Sequence, residues 1–82
     1  MTEEEIIKLM QPAFRDILQK PNLIVTRDLN ADQVDTWDSL NYMILILKME
    51  EIFKVKFSAD DLINLQNTGD LIDIIIQSLS KI

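Results

Sequence analysis

Between Ser39 and Phe53 the chain places apolar side chains at Leu40, Tyr42, Met43, Ile44, Leu45, Ile46, Leu47, Met49, Ile52 and Phe53, so a helix over this span is apolar on nearly every side. Such a helix either lies at the centre of its fold or keeps an apolar face for a partner. The chain is 82 residues long, and a domain of that size buries only about 60–65% of the surface its unfolded chain exposes. Complete burial is out of reach. Part of this helix is therefore expected to bind something, and other helices must pack the rest of it within a single domain over residues 1–82.

The partners for that packing are legible on either side. Residues 2 to 19 carry Ile6, Ile7, Met10, Phe14, Ile17 and Leu18 at helical spacing, with Thr2 and Glu5 at capping-box separation. Pro12 lies inside this stripe, where it removes a donor and presses on the Lys8 carbonyl at a cost of about 3 kcal/mol, so a kink or local break is expected there. Pro21 and Asn22 are read as the stop. About fifteen residues without helical periodicity follow, but they contain Leu23, Ile24, Val25, Leu29 and Val34, which predicts an ordered loop packed on the bundle. Lys54 to Phe57 alternates like a strand yet has no second strand to pair with, and is read as a loop. Ser58 and Asp61 predict a short third helix through about Leu65. Thr68 is read as the cap of a last helix with Leu71, Ile75, Leu79 and Ile82 on one side, Ile72 and Ile76 adjacent, and Ile74-Ile75-Ile76 buried. The expectation is an all-α, small four-helix bundle with three longer helices, one short third helix and a long first loop.

Composition narrows the function. There is no Cys and no His, which removes disulfides, the usual strong nucleophile and the usual general base, and leaves only an improbable all-carboxylate option for a zinc or transition-metal site. The chain is not expected to be an enzyme. Fourteen acidic against eight basic residues give a net charge of −6, which repels nucleic acid and anionic lipid and attracts basic protein surfaces. The opening Met1-Thr2-Glu3-Glu4-Glu5 has the wrong charge for a signal peptide, and no apolar run approaches the roughly 20 residues of a membrane span. A cytoplasmic protein that binds other proteins, and is itself a monomer, is expected.

Trp37-Asp38-Ser39-Leu40 opens the apolar helix. A side-chain oxygen at that end faces solvent beside backbone N–H groups that favour anions, so a phosphate ester on Ser39 would meet a compatible field. Asp38 and Ser39 are equally ordinary as capping residues. Asp28, Asn30 and Asp32 match the first three ligand positions of a calcium loop, but the sixth position has Gln33 instead of Gly and the twelfth has Ser39 instead of Glu, so calcium is not expected.

The order of these features, with Asp38-Ser39-Leu40 at a helix start, Met49-Glu50-Glu51-Ile52-Phe53 closing that helix, Phe57-Ser58-Ala59-Asp60-Asp61 opening a short one and Thr68-Gly69-Asp70-Leu71 opening the last, resembles the acyl carrier protein family over nearly the whole chain. The resemblance implies that a phosphopantetheinyl transferase moves 4'-phosphopantetheine from coenzyme A onto Ser39, and that acyl groups ride as thioesters on its thiol. It also implies docking of acyl-loading and acyl-processing enzymes, through basic surfaces, on Asp38, Glu50 and Glu51 beside Leu40, Met43 and Leu47. The residue inventory agrees, since a serine hydroxyl without a base needs activation from another protein. A core of Ile and Leu, with three Phe, one Tyr and one Trp in the chain, is expected to part for an acyl tail. The chain departs from housekeeping fatty acid carriers at Trp37, Asn41 and Ile44, which implies a member dedicated to a specialised pathway such as polyketide, lipid or cell-surface glycan synthesis. A related carrier charged with an amino acid by an adenylating enzyme, and an unmodified helical interaction module, are the competing readings.

Overall fold

The computed structural model describes residues 1–80. Helix α1 spans Glu3–Ile17, where Thr2 and Glu5 form the expected reciprocal cap, Thr2 N–H donating to Glu5 at 2.8 Å and Glu5 N–H to the Thr2 hydroxyl at 3.2 Å. Of the kink or local break expected at Pro12, the break does not occur; the helix runs through it. Ile6, Met10, Phe14 and Leu18 are all fully buried along one side. Each such side chain contributes about 1.5–3 kcal/mol, so keeping Phe14 and Leu18 in place beyond the proline offsets its cost of about 3 kcal/mol.

The helix ends at Ile17, before Pro21, because Gln19 turns left-handed at φ 56° and its neighbour closes the turn, Lys20 N–H donating to Arg15 O at 3.0 Å. The second long helix ends the same way, with Lys54 at φ 56° and Val55 N–H on Glu50 O at 3.2 Å. Glycine usually takes this position. Here two long side chains accept a strain of about 1–2 kcal/mol each, which leaves no glycine for a reader of the sequence to find.

Helix α2 spans Ser39–Phe53, α3 Ala59–Ile63 and α4 Thr68–Leu79, with a single 3₁₀ turn at Ala31–Gln33 inside the first loop; no strand occurs among the described residues. The architecture is the expected all-α bundle of three longer helices and one short one. α1 packs against both α2 and α4, and the shared core joins the α1 stripe to Leu45, Ile46, Met49 and Phe53 of α2 and to Leu71, Ile72 and Ile75 of α4. Of Ile74-Ile75-Ile76 only Ile75 is buried, and Ile76 is exposed. Ile82 lies outside the described residues.

The long loop is packed down as expected: Val25, Leu29 and Val34 are buried in the core. A radius of gyration of 11.8 Å matches the roughly 12 Å of a compact chain this long. Polar side chains stitch it in place. Gln11 accepts from Val25 N–H at 3.0 Å, Arg15 donates to Leu23 O at 2.7 Å and the Thr36 hydroxyl to Leu18 O at 2.6 Å. Asn67, not Thr68, caps α4, accepting from Asp70 N–H at 2.8 Å. Thr68 is instead buried, its hydroxyl and its N–H both donating to Leu29 O, at 3.0 and 2.8 Å. That inward turn satisfies a loop carbonyl that burial would otherwise leave costly.

Candidate functional site

Ser39 is the first residue of α2 and is exposed. Two polar links hold the chain on either side of it. Asp38 caps the helix from extended backbone, its carboxylate accepting from Asn41 N–H at 2.8 Å, and the Asn41 carboxamide donates to Thr36 O at 2.7 Å. Thr36 is tied in turn to the end of α1 through Leu18. The Ser39 hydroxyl makes no hydrogen bond among the described residues; capping is done by Asp38. Of the four hydroxyl residues at helix starts, Thr2 and Ser58 cap their helices and Thr68 is bonded inside the core. Ser39 alone is exposed and unengaged.

Unpaired N–H groups in the first turn of α2 favour an anion there by about 0.3–1 kcal/mol, an advantage that Asp38 already uses in part. The residues fit a covalently held phosphate ester: an exposed hydroxyl on a helix start, with no side-chain hydrogen bond among the described residues.

From that serine an apolar strip runs along the outside of α2. Leu40 is 70% exposed, Met43 52%, Ile44 41% and Leu47 60%, and their spacing of three and four places them on one side of the helix. Glu51, at the far end, projects into solvent and contacts Lys48 at 3.6 Å. Glu50 behaves differently. It is half-buried and accepts from Phe57 N–H at 2.9 Å, closing the turn after α2. Trp37 fills the space between loop and helix edge-on to Phe14, ring centres 5.7 Å apart. Tyr42, whose pKa burial raises, donates to Leu62 O at 3.3 Å across to α3.

Two features escaped the sequence reading. Arg27 bridges Glu3 of α1 and Asp73 of α4, the latter at 2.9 Å, and both carboxylates, Asp73 foremost, raise its pKa further. Gly69 donates to Arg27 O at 2.8 Å, and a Cβ on it would stand 3.0 Å from that oxygen. The signal was available, because Gly69 is the sole glycine of the chain. Asn30 is occupied in capping the 3₁₀ turn, accepting from Asp32 N–H at 2.9 Å, and no group of three or more His, Cys, Asp or Glu placed to hold a metal ion occurs among the described residues.

A family model described as the phosphopantetheine attachment site matches residues 10–75. An acyl carrier protein of Exiguobacterium sibiricum is 31% identical over 75 residues, 92% of this chain and 95% of the relative. The chain belongs to the acyl carrier protein family. A second acyl carrier protein, from Lactobacillus johnsonii, is 28% identical over 92% of this chain and 94% of its own length. The solution structure of a holo acyl carrier protein from Geobacter metallireducens superposes with a TM-score of 0.86 at 34% identity, covering 93% of this chain and 87% of that one. The protein is an acyl carrier rather than an enzyme, and it works with a covalently attached 4'-phosphopantetheine and with partner enzymes, a phosphopantetheinyl transferase among them. No helix among the described residues is long and apolar enough to cross a membrane.

Proposed function

We propose that Ser39 is the attachment point, within a single carrier domain over residues 1–82. The observation that carries this is the free, exposed hydroxyl at the start of α2, where every other helix-start hydroxyl is bonded. Ser39 Oγ attacks the β-phosphorus of coenzyme A; the new P–O bond forms as the pyrophosphate linkage breaks, and adenosine 3',5'-bisphosphate leaves. The hydroxyl proton passes to a base of the transferase, since this chain has neither His nor Cys. Once bound, the group supplies a flexible arm whose thiol holds acyl cargo as thioesters.

Leu40, Met43 and Leu47, with Ile44 between them, form the docking strip, and Asp38 and Glu51 flank it for partners with basic surfaces. Exposed acids speed encounter, and the apolar strip supplies short-range contact. Glu50 serves the same face indirectly, by fixing the end of α2. The carrier acts as a monomer in the cytoplasm. Trp37, Asn41 and Ile44 favour a dedicated pathway in place of general fatty acid synthesis: Ile44 puts an apolar side chain on the docking strip, and partner choice follows shape and charge there.

Incubation with coenzyme A, magnesium and a broad-specificity transferase tests the assignment by intact mass. One phosphopantetheinyl group is expected on the wild type and none on Ser39→Ala. Addition to Ser39→Ala, or none to a folded wild type, overturns it.

A further inference from the structure

The segment that leads into Ser39 is held by a closed ring of three hydrogen bonds. Asp38 N–H donates to Thr36 O at 3.1 Å, Asn41 N–H to the Asp38 carboxylate at 2.8 Å, and the Asn41 carboxamide back to Thr36 O at 2.7 Å. Thr36 O thus takes two donors, and Ser39 lies between the residues that supply them. The ring is also anchored outside α2, because the Thr36 hydroxyl donates at 2.6 Å to Leu18 O at the end of α1. A helix cap needs only the Asp38 carboxylate. The Asn41 and Thr36 side chains do something further.

Ser39 contributes nothing to the ring, since its hydroxyl makes no hydrogen bond among the described residues, so its place is set by the backbone on either side. After it comes a regular helix; before it comes the end of the long loop. A loop end left free to move loses that freedom when a partner orders it, and group transfer is sensitive to small misplacements of the attacking atom. The Asn41 carboxamide ties the loop to the helix across the serine, which fixes this backbone before any partner arrives. Thr36 and Asn41 are half-buried, while Asp38, Ser39 and Leu40 are exposed. The clasp therefore lies beneath the surface that a docking enzyme covers.

We propose that Asn41, acting with Thr36, is a positioning residue for the transfer: the clasp holds the backbone so that Ser39 Oγ meets the β-phosphorus of coenzyme A without prior ordering of the loop. The inference rests on Ser39 as the attachment point. The outer strip of α2 governs how well a partner binds, and the clasp governs how fast the serine reacts once it is bound.

Single-turnover transfer from coenzyme A with magnesium and saturating broad-specificity transferase, followed by intact mass, tests this, because weaker docking does not show at saturation. Asn41→Asp and Asn41→Leu keep the branched shape and lose the donor, one adding a charge and the other staying neutral. In both the rate is expected to fall by about two- to tenfold, the range of a single hydrogen bond. Thr36→Val is expected to fall likewise, and Thr36→Ser, which keeps the hydroxyl, to retain the wild-type rate. Amide exchange of Asp38 is expected to quicken in the slow variants while that of Leu71 and Ile72 stays unchanged, which separates a loosened clasp from a general loss of fold. A wild-type rate in folded Asn41→Leu, a fall confined to Asn41→Asp, or a Thr36→Ser as slow as Thr36→Val overturns the proposal. Peptide mapping of the wild-type product keeps the two readings apart: a group on another residue overturns the attachment at Ser39 and the clasp with it, whereas a group on Ser39 with unchanged rates in the variants overturns the clasp alone.

Discussion

α1 and α2 are both fifteen residues long, and they use apolar side chains to opposite ends. In α1 the stripe faces one way and is consumed by the core, leaving Leu9 as its exposed large apolar residue at 44%. In α2 the core takes Leu45, Ile46, Met49 and Phe53, and among the described residues the strip formed by Leu40, Met43, Ile44 and Leu47 stays 41–70% exposed. The difference arises because α2 is apolar all round while the neighbours cover only its inner side. Hydrophobicity thus goes almost wholly into the core on one helix and is left partly exposed on the other.

The comparison breaks most visibly through the core. Phe14→Ala, at a fully buried residue in contact with Trp37, is expected to lose about 3–5 kcal/mol in urea unfolding. A loss below about 1 kcal/mol would mean that the α1 stripe does not carry the core.

Smaller effects come from the two helix starts. Thr2→Ala and Asp38→Ala each remove a cap worth about 1 kcal/mol, but only Asp38→Ala is expected to slow attachment at Ser39 as well. Equal attachment rates in both variants would separate the α2 cap from the site.

On the outer strip, Met43→Ser is expected to change stability by no more than about 0.5 kcal/mol while weakening transferase turnover through a higher KM. A clear loss of stability with unchanged KM would show the strip to be covered by the fold.

The smallest effect is confined to acid. The Thr2 N–H, then its side chain, holds the Glu5 carboxyl below its ordinary 4.5. A depressed carboxyl contributes stability above the unfolded value and loses it as pH falls through the folded one. Glu5→Gln is therefore expected to flatten the decline of stability below about pH 4.5, which acid titration of the two proteins would read; parallel curves would rule the α1 cap out as a pH-sensitive contact.

Much of this molecule follows from local order in the chain. Periodicity placed α1 and α4, and a long apolar run opened by Asp38-Ser39 placed α2. The Thr2–Glu5 and Ser58–Asp61 caps were legible because each is a contact between residues three apart. Ser39 stood out for the same reason, as a short motif at a helix start. The errors lie where distant residues decide. Pro12 read as a kink or a break, and burial of Phe14 and Leu18 outweighed the break. Thr68 looked like a cap until Leu29, far back in the chain, claimed its hydroxyl. Glu50 and Glu51 read alike, yet the turn back to Phe57 takes one of them. Sequence alone determined the helices and the serine that opens α2, since those depend on neighbours along the chain. Only the tertiary structure decided which apolar face is left exposed and which of the two acids turns in to close the loop after α2, because each depends on what packs across from it.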